Sequence, residues 1–229
     1  MWRCYALGFD IYHFIELLPD INKAFFQTIY MIAIALSVST LIGLPIGVLL
    51  YITDKGLFWE NTIFRNILGF TVNMVRSVPF IILLVALIPL TNFLVKTTIG
   101  PTAASVSLSV AAIPFFARIV ETSLREIDKG VIEAAIASGA TPWMIIKDVL
   151  LLEARSGIIS GITLTLISLV GFSAMAGVVG GGGIGDLAIR FGYYRYDNTI
   201  MIATVAILVI LVQLIQLFGD IIAKVVNKK

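Results

Sequence analysis

From Ala24 to Tyr51 the chain carries no charged side chain, and no other feature limits the fold as tightly. A helix of about 20 apolar residues crosses a hydrocarbon core of roughly 30 Å while satisfying its own backbone N–H and C=O groups. Four more segments have this character: about Ser77–Val95, Thr102–Glu126, Gly157–Val179 and Thr199–Val226. The second is the shortest in purely apolar residues, with Pro79 and Pro89 near its ends, and Pro114 interrupts the third. With 59% hydrophobic and 13% charged residues, the composition excludes a soluble domain. The pattern predicts one all-α integral membrane domain with five transmembrane helices.

The remaining segments are connections. Residues 1–23 mix Arg3, Asp10, Glu16, Asp20 and Lys23 with apolar side chains and read as an interfacial lead-in. They lack the basic-then-apolar order of a cleaved signal peptide. Residues 52–76, with Asp54, Lys55, Glu60, Arg65 and Arg76, read as an amphipathic approach to the second span.

Five spans place the two termini on opposite sides, and basic residues concentrate on the cytoplasmic side of membrane proteins. One set of connections holds Lys55, Arg65, Arg76, Arg125, Lys129, Lys147 and Arg155, with Lys224, Lys228 and Lys229 in the tail. The other holds Arg3, Lys23, Lys96, Arg190 and Arg195. The N-terminus is therefore expected outside and the C-terminus in the cytoplasm of a multi-pass protein of the cell inner membrane.

Several function classes lack residues here. A net charge of +2 without a dense Lys/Arg cluster gives no footing for nucleic acid, and one cysteine, Cys4, forms no internal disulfide. The single histidine, His13, anchors no multi-histidine metal site and reads as an interfacial residue. Ion-coupled carriers need ionisable groups at membrane depth. The spans are almost empty of them: Arg118 and Glu121 lie towards the cytoplasmic end of the third, spaced to pair on one helix face as a structural clasp. A membrane enzyme would have to use that pair, and a channel or secondary carrier would work without an ATPase. No Gly-x-x-x-x-Gly-Lys-Ser/Thr phosphate loop occurs, so the chain is expected to take no cofactor and to be no enzyme. Uphill transport would then draw on a separate ATPase.

The point of attachment for such a partner is legible between the third and fourth spans. Glu133-Ala134-Ala135-Ile136-Ala137-Ser138 is a helix-forming run, and Gly139 suits the left-handed residue that ends a helix. Thr141 offers a hydroxyl as N-cap, and Pro142 fits the first turn of a second helix. Two short helices meeting at a glycine make a knob outside the membrane, with a use as a helix-in-groove contact for another protein.

The other glycines leave alternatives open. Gly180, Gly182 and Gly185 match Gly-x-Gly-x-x-Gly, but no β-α-β unit surrounds them, which excludes a dinucleotide site. Gly177–Gly185 reads either as a flexible turn leaving the membrane or as an outer loop that moves or lies close to a partner. Gly43 and Gly47, and likewise Gly157 and Gly161, have the spacing for close helix approach, within the subunit or between subunits. Ser173 and Met175 are candidates to line a passage, with simple packing as the alternative for the Met175 thioether. Tyr193, Tyr194, Tyr196, Arg190, Arg195 and Asp197 read as an interfacial aromatic belt or part of an outer docking surface.

Glu133-Ala134-Ala135, followed by Gly139 and then Val149-Leu150-Leu151, resembles the EAA motif of type I ABC importer permeases. Where that family's pattern ends in Leu-Pro, this chain has Leu151-Leu152. Gly43–Tyr51, Arg76–Val85, Ala112–Arg118, Gly139–Pro142 and Leu169–Met175 are similar to segments of methionine importer permeases. The resemblance covers about Ala24 to Asp220. It implies a type I ABC transmembrane domain over 24–226, with Glu133, Ala134, Ala135, Gly139, Ala140, Thr141 and Pro142 in a coupling segment spanning about 127–155. It further implies a homodimer in membrane lipid, two cytoplasmic ATPase subunits that hold ATP and Mg, and an extracytoplasmic methionine-binding lipoprotein. The assembly would import methionine, in L and D forms; a permease for a different amino acid is the alternative within the class.

Overall fold

The computed structural model describes residues 10–226; Arg3, Cys4, Lys228, Lys229 and the first part of the lead-in lie outside the described residues. The described residues form helices α1 (Ile11–Ile52), α2 (Thr62–Ser77), α3 (Phe80–Ala86), α4 (Ile88–Val95) and α5 (Pro101–Arg125). These are followed by α6 (Lys129–Ala137), α7 (Pro142–Met144), α8 (Leu151–Glu153), α9 (Arg155–Val178), α10 (Gly183–Leu187) and α11 (Asn198–Val226). Two π-helical turns, Ile145–Leu150 and Ala188–Tyr193, follow α7 and α10 directly.

Among the described residues, α1, α5, α9 and α11 are long and apolar enough to cross a membrane, and a fifth span exists only if α2 and α3 count together. The five-span expectation is therefore met in coarse form, as four to five spans. The segment expected as one span over Ser77–Val95 consists of two short helices, α3 and α4. Pro79 stands at the N-cap of α3, and Pro89 lies in the first turn of α4, where a proline lacks nothing a helix needs. Helix α1 continues back through the expected lead-in to Ile11. Its 42 residues at about 1.5 Å each are roughly twice a hydrocarbon thickness, so its charged N-terminal part extends beyond the uncharged span.

The chain divides into two compact units. One contains the described residues up to Leu36, with Pro79–Val110 and Leu166–Gln216. Its core joins Ile21 and Ala24 of α1 to Ile184 and Leu187 of α10 and Ile200 and Ala203 of α11. Here the end of α9 meets α10 without side chains between them. A Cβ on Gly177 would overlap the backbone at Asp186, and one on Gly185 would overlap Ala174. Gln27 and Thr28 of α1 accept the Gly183 and Ile184 N–H groups at 3.0 and 2.9 Å. The glycine run is thus committed to close packing on its own subunit.

The second unit contains Ser37–Val78, Ala111–Thr165 and the described residues from Leu217. Helix α5 is held on two sides by glycines. A Cβ on Gly43 would stand 2.9 Å from Ile113 O, and one on Gly161 would stand 2.6 Å from Ile119 Cγ2. Both glycine pairs therefore serve packing within the subunit, where missing side chains let backbones approach. Tyr51 and Ile52 of α1, Phe116, Val120 and Leu124 of α5, Ile132 of α6 and Leu150 form one apolar core.

Candidate functional site

The knob between α5 and α9 is built from local signals. Asp128 caps α6 by accepting the Gly130 N–H at 2.7 Å, which satisfies one of the donors a helix start leaves free. At the other end Gly139 adopts φ +78°. The Gly139 N–H donates to Ile136 O at 2.9 Å and the Ala140 N–H to Ala135 O at 3.1 Å. This pair of bonds is the Schellman stop, in which glycine takes the left-handed position without a Cβ penalty. Thr141 Oγ1 then accepts the Met144 N–H at 3.4 Å, with Pro142 at the first position of α7. The helix continues through the π turn Ile145–Leu150 into α8, with leucine where the family pattern has proline.

The hairpin has two faces. Ile132, Ile145, Ile146 and Leu150 are buried in the core shared with α1 and α5, and Ala135 and Ala140 pack against it. Glu133, Ala134, Gly139, Thr141 and Pro142 are exposed. Beside them Val131, Ile136, Trp143, Met144 and Leu152 present apolar side chains, Trp143 being 69% exposed. The result is a knob fixed to its own subunit on one side and, on the other, exposed apolar side chains among charged ones, Lys129, Glu133, Lys147, Asp148 and Glu153. Trp143 was not singled out by the motif; an aromatic next to the capping proline was the available signal.

The expected pair Arg118–Glu121 forms, and it belongs to a larger ionic cluster. Glu121 is 1% exposed. Its Oε2 accepts Arg118 Nη1, and its Oε1 accepts Arg125 Nη2 at 2.8 Å. Arg118 Nη2 donates to Asn73 Oδ1 of α2 at 2.6 Å, and Arg125 Nη2 lies 2.7 Å from Asp54 Oδ2 in the loop after α1. Arg65 Nε lies 3.0 Å from Asp54 Oδ1 but is buried without an aligned hydrogen bond. Partial burial pushes the Asp54 carboxyl up, and the Lys55 N–H, Arg125 and Arg65 more than offset it, holding Asp54 below the usual carboxylate range.

The two passage candidates are not brought together. Ser173 is buried and its hydroxyl donates to Val170 O at 2.8 Å, whereas Met175 is 47% exposed on the same helix. At the N-terminal end of α1, His13 Nε2 meets Asp197 Oδ2 at 2.7 Å. The guanidinium of Arg195 stands 4.5 Å over the Phe191 ring, and Tyr193, Tyr194 and Tyr196 are exposed. Among the described residues no cluster of His, Cys, Asp or Glu could hold a metal.

Comparison with known proteins places this geometry. Residues 43–229 match the family described as binding-protein-dependent transport system inner membrane component. The chain is 51% identical over 206 residues to a probable D-methionine transport system permease protein MetI of Vibrio cholerae, covering 90% of this chain and 92% of that one. It is 42% identical over 212 residues to the methionine import system permease protein MetP of Bacillus subtilis, covering 93% and 96%. Among solved structures, an inward-facing MetNI methionine ABC transporter aligns with TM-score 0.91 and 45% identity, covering 93% of this chain and 99% of its counterpart. An amino acid ABC transporter solved with histidines shares the fold at TM-score 0.77 and 19% identity, covering 94% and 98%.

Proposed function

This chain belongs to the family of binding-protein-dependent transport system inner membrane components, and from that premise we propose that it is the permease subunit of an ATP-driven methionine importer in the cell inner membrane. The observation that carries the reading is near full-length likeness to methionine permeases, at 51% and 42% identity. Each subunit has five spans, with α2 and α3 forming the broken second one, the N-terminus outside and the C-terminus cytoplasmic. Two copies of the chain form the passage in the lipid bilayer. The transmembrane domain covers about 24–226, and its coupling segment about 127–155.

Two cytoplasmic ATPase subunits hold ATP and Mg; this chain catalyses no reaction and takes no cofactor. Each ATPase receives the exposed face of the hairpin in a groove, with Glu133, Ala134, Ala135, Gly139, Ala140, Thr141 and Pro142 shaping the contact. A helix laid into a groove by its apolar side chains is a recurring docking mode. The buried face, formed by Ile132, Ile145 and Leu150, makes the hairpin move with α5 and α1. ATPase closure shifts the passage between inward-open and outward-open states only so far as its contacts with the two differ. An extracytoplasmic binding lipoprotein delivers methionine, L and D, and Ser173 and Met175 lie along the route.

The test is ATP-dependent uptake of labelled methionine by the reconstituted permease, ATPase and binding protein against amino-acid competitors. Uptake needing all three parts and displaced chiefly by methionine is the expected result. ATP-dependent uptake of another amino acid would remove the methionine assignment, and uptake without an ATPase would remove the importer reading.

A further inference from the structure

Helix α2 is attached to its unit in an unusual way. It places no residue in the apolar core that holds the hairpin to α1 and α5, and among its described residues only Val72 is buried. Beside the buried Val72 and the approach of Gly69 to Leu50 of α1, it has polar ties: Asn73 accepts from Arg118, and Arg65 pairs with Asp54, which pairs in turn with Arg125. Arg118 and Arg125 converge on Glu121, whose two oxygens are both occupied. Arg125 is the last residue of α5, and Asp128 three positions on caps the first hairpin helix.

We propose that Asp54, Arg65, Asn73, Arg118, Glu121 and Arg125 are the link through which displacement of the hairpin reaches α2. They are positioning residues for transport, and this rests on the coupling role proposed above for the hairpin. A buried carboxylate bound by two guanidinium groups is costly to separate, because removing one partner leaves an uncompensated charge. The end of α5 and the Arg118 guanidinium therefore move together. Asn73, 45 positions away in sequence, is carried with them. The loop that feeds α2 is drawn along at Asp54, with Leu57 and Phe58 packed against the hairpin's core. An apolar seam would hold α2 equally well in many small offsets, whereas the Arg118–Asn73 hydrogen bond is directional and fixes one geometry, with the Arg65–Asp54 ion pair beside it. The hairpin's motion is thus delivered to the first half of the broken span.

The test uses the complete transporter reconstituted in liposomes, reading methionine uptake per ATP hydrolysed. The double variant Asn73→Leu, Arg65→Gln releases α2, and the expected result is about a tenfold fall in that ratio. Assembly with the ATPase and its hydrolysis rate should stay at wild-type levels. Asn73→Asp, which keeps an acceptor for Arg118, should retain the ratio. A wild-type ratio in the double variant would overturn the link. So would a joint fall in assembly, hydrolysis and uptake, since that marks a merely structural tie. Gly139→Val, assayed alongside, separates the two readings. If it uncouples and the α2 variant does not, only the link is lost; if Gly139→Val itself leaves the ratio unchanged, the hairpin reading fails first.

Discussion

Gly47 of α1 and Val120 of α5 leave no space between them: a Cβ on Gly47 would stand 2.6 Å from the Val120 Cβ and 2.5 Å from Ala117 O. Neither the Ala117 carbonyl nor the Val120 Cβ can swing aside, because both belong to helix backbone or its first branch. Gly47→Leu should therefore destabilise the subunit by about 1–3 kcal/mol, the range for overpacking a filled interface. Gly171→Ala on α9 is the control. Nothing lies within 4 Å of its Cβ direction, so alanine should be neutral or add some helix stability. Thermal unfolding of the detergent-solubilised protein compares them, and equal midpoints for the two variants would contradict the close approach.

Gly139 and Trp143 make separate demands on the hairpin. Gly139 sits at φ +78°, where a β-branched residue is strained, so Gly139→Val should disrupt the turn and lower uptake per ATP hydrolysed without preventing membrane insertion. Glu133→Lys should uncouple with the turn intact. Trp143 is the largest exposed side chain on this face, and Trp143→Ala should weaken ATPase binding by about 2 kcal/mol, the scale of an aromatic anchor. Permease–ATPase affinity in detergent reads this directly. Unchanged affinity would place Trp143 outside the contact.

Hydrophobic runs located α5, α9 and α11 to within two residues at either end, since length and hydropathy bound a span tightly. They misplaced the start of α1, because Glu16, Asp20 and Lys23 mark where the hydrocarbon ends and not where the helix ends. They merged α3 and α4, although the break at Leu87 is local: Pro89, in the first turn of α4, has no N–H to continue the helix from α3. The hairpin's turn was legible residue by residue because capping is local: Gly139, Thr141 and Pro142 act within a few positions, whereas the Asp128 cap of α6 was not singled out. The ionic cluster was legible only as Arg118–Glu121, three residues apart. Asp54 and Asn73 join it across the fold, which no helical spacing announces.

His13 gives a pH dependence at the N-terminal end of α1. Its hydrogen bond to Asp197 raises its pKa above the ordinary 6.5, with desolvation opposing and the charges of Asp197 and Glu16 assisting. The imidazolium is thus favoured in the folded protein. Its stabilising contact is complete below about 6.5, the unfolded value, and is lost as pH rises through the higher folded pKa. Because the chain has one histidine, NMR titration of the labelled ring reads it without overlap. Asp197→Asn should lower the midpoint; an unchanged midpoint would show that another group sets it.

Phe80 and Phe172 tie α3 to α9. Their rings stack with centroids 4.6 Å apart and 15° between planes, joining the first residue of α3 to α9. Helix α3 has 7 residues, too few to be stable by its own hydrogen bonds, so its position depends on such contacts. Phe80 is 7% exposed, and Phe80→Ala should leave a cavity and cost about 3 kcal/mol or more. Phe80→Leu, which retains apolar volume without a ring, should recover part of that loss but not the stacking component of roughly 1 kcal/mol. Protease accessibility of Ser77–Pro79, with thermal unfolding of the same samples, separates local release of α3 from loss of the whole unit. Protection equal to wild type in Phe80→Ala would mean that Leu84, buried one turn further on, carries the anchoring instead.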